Sequence, residues 1–178
     1  MAQDPVVIAL NKAGEPTAHR IAEHLGARVH GRENRVTRAD AYFPNALTHV
    51  RDLFAAGIPV IGVCASGILI RAVAPMLSDK TREPPLLSVS DDGGVVIPLL
   101  GGHRGANRLA QTIAGVLEAQ AAVTTAGDVA IGVALDEPPA GYRLQNPGDA
   151  KSVMTKLLSG ANPRIVGDNI FGLPNNEN

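Results

Sequence analysis

The stretch VVIPLLGGHRGANRLA, residues 95–110, decides how this chain is read. A β-branched run stops at Gly101 and Gly102, and a helical apolar pattern opens after His103, Arg104, Gly105 and Asn107. A strand, a tight loop and a helix are expected, and the first amides of a helix have no partner within it. A loop that brings His, Arg and Asn to such a place suits an anionic ligand.

Upstream, residues 86–89 and 95–99 flank Asp91, Asp92, Gly93 and Gly94, the signal of an antiparallel hairpin. Residues 58–63 read as a buried strand, Ser66 and Gly67 as a turn, and residues 68–77 as a helix carrying Arg71 that Pro75 shortens. At the start, residues 6–10 read as a strand. Residues 15–25 read as a helix with Ala18, Ile21, Ala22 and Leu25 on one face and Gly26 as its cap. A short strand over 27–30 and a polar loop over 31–42 follow. A helix over 46–56 comes next, with Leu47, Val50, Leu53 and Phe54 as its buried stripe and Gly57 as its stop. Downstream, Leu109, Ile113, Val116 and Leu117 mark one more helix, and residues 121–124 a last strand. Alternating strands and helices predict an α/β fold: a three-layer, doubly wound, mostly parallel sheet with one antiparallel hairpin and a small C-terminal appendage.

The main domain is expected over 1–128 and the appendage over 129–178. The run EPPAG, 137–141, reads as a linker because its prolines deny both helix and interior strand. Asn146, Pro147 and Asp149 open a helix that Gly160 ends, and the final PNNEN reads as frayed.

Composition narrows the function. The chain has 178 residues, 45% of them apolar, enough for one sizeable core. Sixteen basic against 17 acidic residues leave no basic field for a nucleic acid, and 3% aromatics with no Trp leave few stacking platforms. A lone Cys64 gives neither an internal disulfide nor a zinc cluster and reads as a core residue. No apolar run approaches the roughly 18 to 20 residues of a membrane span, so a soluble cytoplasmic protein is expected.

If strands 58–63, 95–99 and 121–124 share a sheet, the loops CASG, GGHRGAN and TTAGD open at one edge. Ser66, His103, Arg104, Asn107, Thr125 and Asp128 would then meet in a single crevice. Plain structural roles stand beside these: His103, Asn107 and Asp128 as caps, and Arg71 as a solvated or ion-paired surface residue. His19, His24, His30 and His49 lack metal spacing. A dinucleotide fingerprint fails because Leu100 holds the first glycine position, and no G-K-[ST] marks a P-loop.

The runs GVCASGILIRAVAPMLSDK, VVIPLLGGHRGANRLAQTIA and VTTAGD, with the opening VVIALNKAGEPTAHRIAEHL, resemble the N-terminal domain of the CbiG family of cobalamin biosynthesis, the cobalt-precorrin-5A hydrolases. IGVALDEPPAGYRLQNPGDAKSVMTKLLSG is similar to the start of that family's middle region. The resemblance implies a role on the corrin ring, where members open a δ-lactone and release acetaldehyde without an organic cofactor. His103, with Asp128, would be catalytic, His103 as the base that activates water. The amides of Gly101 to Gly105, with Asn107, would stabilise the oxyanion. Arg71, Lys80 and Arg104 would hold ring acetates and propionates, with Ser66, Gly67, Gly102 and Thr125 in contact. The loop GHRGAN is one residue shorter than the usual GH-x-GGAN. With ALDEPP, it resembles the module fused to precorrin-3B C17-methyltransferase, whose methyltransferase part would use S-adenosylmethionine. The resemblance thus implies a precorrin intermediate and a fused or interacting precorrin methyltransferase as partners, with no nucleic acid or membrane and with room for an oligomer. A binding module, a hydrolase and a non-catalytic structural appendage all stay open, and cofactor and metal sites are expected to be absent from this chain.

Overall fold

The computed structural model describes residues 3–136, 138, 139 and 141–173; of Asp128 it describes the backbone. The chain divides into two compact units, Met1–Ala122 and Val123–Asn178. Glu137 and Ala140 of the run EPPAG, and the whole of PNNEN, lie outside the described residues.

The first unit holds β1 (Val6–Ala9), α1 (Glu15–Leu25), β2 (Arg28–Arg32), β3 (Ala41–Phe43), α2 (Ala46–Ala55) and β4 (Val60–Val63). It continues with α3 (Ser66–Val73), β5 (Leu86–Val89), β6 (Val95–Leu100), α4 (Ala106–Leu117) and β7 (Gln120–Ala121). Its seven-stranded sheet runs β3-β2-β1-β4-β5-β6-β7. All neighbours are parallel except β5 and β6, which pair antiparallel with Leu86 opposite Leu100 and Val89 opposite Val96.

Alternation along the strands sends side chains to two faces. Val7, Ala9, Val29, Ile61, Val63, Leu87 and Val89 pack with Ile21 of α1 and Ile113 of α4. Val6, Ile8, Val60 and Leu86 pack with Val50 and Phe54 of α2 and Leu69 and Val73 of α3. The sheet is thus sandwiched between helix layers, as its near-continuous apolar strands require. Gly62 permits the closeness on one side, since a Cβ there would sit 2.8 Å from a methyl carbon of Leu69.

Helix boundaries follow local chemistry. α1 carries Pro16 in its first turn and ends at Gly26, which takes φ 62°. Asn45 caps α2 by accepting from Thr48 N. Pro75 ends α3 at Val73, and a short 3-10 turn covers Ala74–Met76.

Four expectations need correction. The polar segment 31–42 is not all loop, because β2 extends to Arg32 and β3 begins at Ala41. Leu47 is 40% exposed and stands outside the buried stripe of α2. The last strand is Gln120–Ala121 instead of 121–124. Helix α3 opens at Ser66, so Ser66 and Gly67 form its first turn.

The second unit contains α5 (Ala126–Ala130) and α6 (Pro147–Leu158). Gly127 lies against Met154, where a Cβ would come within 3.2 Å of the methionine methyl. Leu135 is its one buried hydrophobic side chain among the described residues.

Candidate functional site

The antiparallel turn of β6 decides where the sequence-predicted residues stand. Ser66 and Gly67 follow β4 and lie at the C-terminal edge of the parallel strands. β6 runs the other way, so the loop after Leu100 leaves from the opposite edge. At about 3.3 Å per residue, the stretch from Val96 to Gly101 carries that loop about 16 Å down the sheet. The shared rim expected of Ser66 and His103 is therefore not formed. Thr125 and Asp128 belong to the second unit.

At the N-terminal edge, the structure does join part of the expected set. Gly101 and Gly105 take φ 79° and 95°, and a short 3-10 turn, Gly102–Arg104, lies between them. A Cβ on Gly101 would stand 2.6 Å from Pro84 O and Pro85 N, so only glycine lets the loop lie against that backbone. Arg104 Nη1 donates to Arg82 O at 2.9 Å, fastening the loop to the segment that carries Lys80. His103, Arg104 and Lys80 are exposed, while Asn107 sits half-buried in the first turn of α4. Arg71 is exposed on α3, and its Nη1 donates to Gly67 O one turn back, the plain structural role expected of such a residue.

Two of the oxyanion donors expected from the loop amides, Arg104 N and Gly105 N, are spent within the loop. Arg104 N and Ala106 N donate to Gly101 O at 2.9 and 3.1 Å, and Gly105 N donates to Gly102 O at 3.3 Å. These three amides are thus satisfied within the loop, while the His103 and Arg104 side chains are exposed.

The cobalamin synthesis G N-terminal family matches residues 48–128, a stretch that holds both this loop and the Lys80 segment. Residues 48–128 are similar to a CbiG N-terminal domain. Two curated relatives are similar to the chain. A cobalt-precorrin-5A hydrolase of Salmonella typhimurium (strain LT2) is 38% identical over 106 residues, which are 59% of this chain and 29% of the relative. A cobalt-precorrin-5A hydrolase of Priestia megaterium is 39% identical over 71 residues, 39% of this chain and 19% of the relative. The chain thus matches less than a third of the length of these relatives. A crystal structure of a cobalamin biosynthesis protein G homolog from Sulfolobus solfataricus aligns with 94% of the chain and 51% of its own length. Its TM-score is 0.53 at 19% identity, which shows a shared fold.

The C-terminal edge holds polar groups that sequence reading leaves out. Asn11, after β1, donates through Nδ2 to Asp91 Oδ2 at 2.9 Å, and its Oδ1 accepts from Gly14 N at 2.9 Å. Asp91 Oδ1 is buried without a partner among the described residues. Thr17 Oγ1 donates to Asp91 O at 2.8 Å. A cavity of about 350 Å³ beside Asp91 is lined by Cys64, Ser66, Ser88 and Ser90. Burial, with the charge of Asp91, pushes the Cys64 thiol up to about 12, which makes it a poor nucleophile. In sequence, Asp91 is one of two aspartates in a hairpin turn, and nothing local marks it as Asn11's partner.

Among the described residues, no three or more of His, Cys, Asp and Glu are placed to hold a metal ion. No described helix is long and apolar enough to cross a membrane.

Proposed function

We propose that this CbiG-type module takes part in corrin-ring biosynthesis as a tetrapyrrole-binding unit, and that it works within a precorrin-3B C17-methyltransferase polypeptide. The observation that carries the binding role is the loop over residues 101–107. Its amides at Arg104, Gly105 and Ala106 are turned on its own carbonyls. Its exposed cation, Arg104, is fastened to the segment bearing Lys80. Such an edge recognises peripheral carboxylates by side-chain charge, and the planar Arg104 fork matches a carboxylate. The methyltransferase context rests on the short loop GHRGAN and the ALDEPP run, and S-adenosylmethionine would be the cofactor of that other part.

The test is a spectral titration of the chain with cobyrinic acid, a corrinoid bearing free acetates and propionates. Saturable binding is expected, weakened about fivefold by Arg104→Ala or by Lys80→Ala, as befits the loss of about 1 kcal/mol from an exposed charge pair. Absence of saturation, or affinity unchanged from the parent in both variants, overturns the reading.

A second reading, cobalt-precorrin-5A hydrolysis, is favoured by the names of the two relatives. His103 would then activate water at the lactone carbonyl, with Asn107 as a donor. Acetaldehyde released from cobalt-precorrin-5A, and abolished by His103→Ala, would support it over simple binding.

A further inference from the structure

Two histidines that lack metal spacing in sequence are brought together by the topology, away from the loop over 101–107. His30 of β2 and His49 of α2 stand 19 residues apart in the chain, and His30 Nδ1 lies 2.9 Å from His49 Nε2. Their ring centroids are 5.1 Å apart, with the planes inclined at 43°. That separation is close to the greatest that a 2.9 Å N···N contact allows, so both nitrogens lie near the line joining the rings. The outward in-plane axis of each nitrogen, along which it bonds a proton or a metal, therefore points at the other ring.

As it stands, the contact is one N–H···N hydrogen bond. Nothing locks the tautomer of His30, because its Nε2 is buried with no partner among the described residues. Moving the bonded hydrogen to the far nitrogen of its own ring leaves two bare nitrogens face to face and releases no proton. Burial holds both imidazoles below their ordinary value, which keeps the rings neutral and able to act as ligands at pH 7.5. Phe43 stacks on His49 with the planes 10° apart and sets the orientation of that ring.

Geometry and charge select the ion. Zinc in a tetrahedral site takes four donors that approach at an angle, whereas these two approach head-on. No third His, Cys, Asp or Glu is placed with them among the described residues. Calcium and magnesium take oxygen donors. Copper(I), a closed-shell ion, accepts two imidazoles in a line. The charges acting on the pair are Arg28 against Asp40 and Asp52, one positive and two negative, a balance that one monovalent cation cancels. Two metal–nitrogen bonds of about 2 Å would set the nitrogens about 4 Å apart, about 1 Å more than now. Both rings are half-buried, so a small side-chain rotation supplies that opening. We infer that His30 and His49 form a two-coordinate site for one copper(I) ion, which ties β2 to α2.

The test uses the full chain and copper(I) at pH 7.5 without oxygen, with bicinchoninate as the competing chelator. One equivalent is expected to bind. His30→Gln and His49→Gln should each weaken binding by about tenfold or more. His24→Gln, at an exposed position of α1, and Cys64→Ser, which removes the one thiol, should leave it unchanged. Imidazole NMR of the parent with silver(I), a redox-inert stand-in, gives a readout that does not depend on how any variant folds. His30 Nδ1 and His49 Nε2 should shift together while the other histidines stay in place. The inference is overturned by absence of binding, by unchanged affinity in both histidine variants, or by loss of binding in Cys64→Ser. Zinc binding as tightly as copper(I), or silver shifts confined to other histidines, would overturn it as well.

Discussion

His30 Nδ1 of β2 lies 2.9 Å from His49 Nε2 of α2, while His30 Nε2 is buried with no partner among the described residues. Phe43 stacks on His49 with ring centroids 4.4 Å apart. Burial holds both imidazoles below the ordinary value of 6.5; His49 and Arg28 add to the effect at His30, while Asp40 opposes it there and Asp52 opposes it at His49. As pH falls through 6.5, the unfolded chain takes up protons before the folded one does. Stability should be full above that value and decline below it, down to the lowered folded values. Thermal unfolding at half-unit pH steps from 7.5 to 5 should show this slope, and His30→Gln should flatten it. An unchanged slope in the variant would rule out the pair as its source.

Two adjacent glycines should behave in opposite ways. Gly101 combines a positive φ with a Cβ position 2.6 Å from Pro84 O, whereas Gly102 has open space around its Cβ position. Gly101→Ala should cost about 2 to 3 kcal/mol or more through strain and displaced backbone. Gly102→Ala should stay within about 0.5 kcal/mol of the parent. Urea unfolding of the two variants checks the contrast, and equal midpoints would contradict the loop geometry.

Cys64 should be chemically silent in the folded protein. Its thiol is buried and titrates at about 12, so almost no thiolate exists at pH 8. A disulfide reagent such as DTNB should report negligible reaction in buffer and one equivalent in strong denaturant. Rapid native reaction would show that the strand end opens far more readily than its packing implies.

Asn11 bridges two turns at the C-terminal edge of the sheet. Asn11→Ala would remove a donor to Asp91 and an acceptor for Gly14 N together, at a cost of about 2 kcal/mol. Asn11→Asp should be worse, since it sets a second carboxylate against Asp91. Denaturant midpoints in the order parent, alanine, aspartate check this, and an aspartate variant as stable as the parent would refute it.

Much of the fold is legible where short-range chemistry is decisive. Helix α1 runs from Glu15 to Leu25 as its apolar spacing and Gly26 imply, Pro75 stops α3, and the DDGG turn makes an antiparallel pair. Long-range pairing is where local pattern stops being informative. β3 is a three-residue strand in polar surroundings, held by its ladder to β2, and the His30–His49 contact needs α2 laid across the sheet. The loop over residues 101–107 is legible as a site candidate from its glycines, histidine and arginine. Its separation from Ser66 follows only when the hairpin is carried through the topology, because an antiparallel strand delivers its following loop to the far edge.

That reversal has a consequence for how the molecule can change. Packed sheet lies between the two rims of the first unit, and they share no bonded partner in the interactions described above. Substitutions at one rim should leave ligand affinity at the other unaltered, their free energies simply adding. Evolution or an engineer could then retune either end alone, as two instruments mounted on one frame.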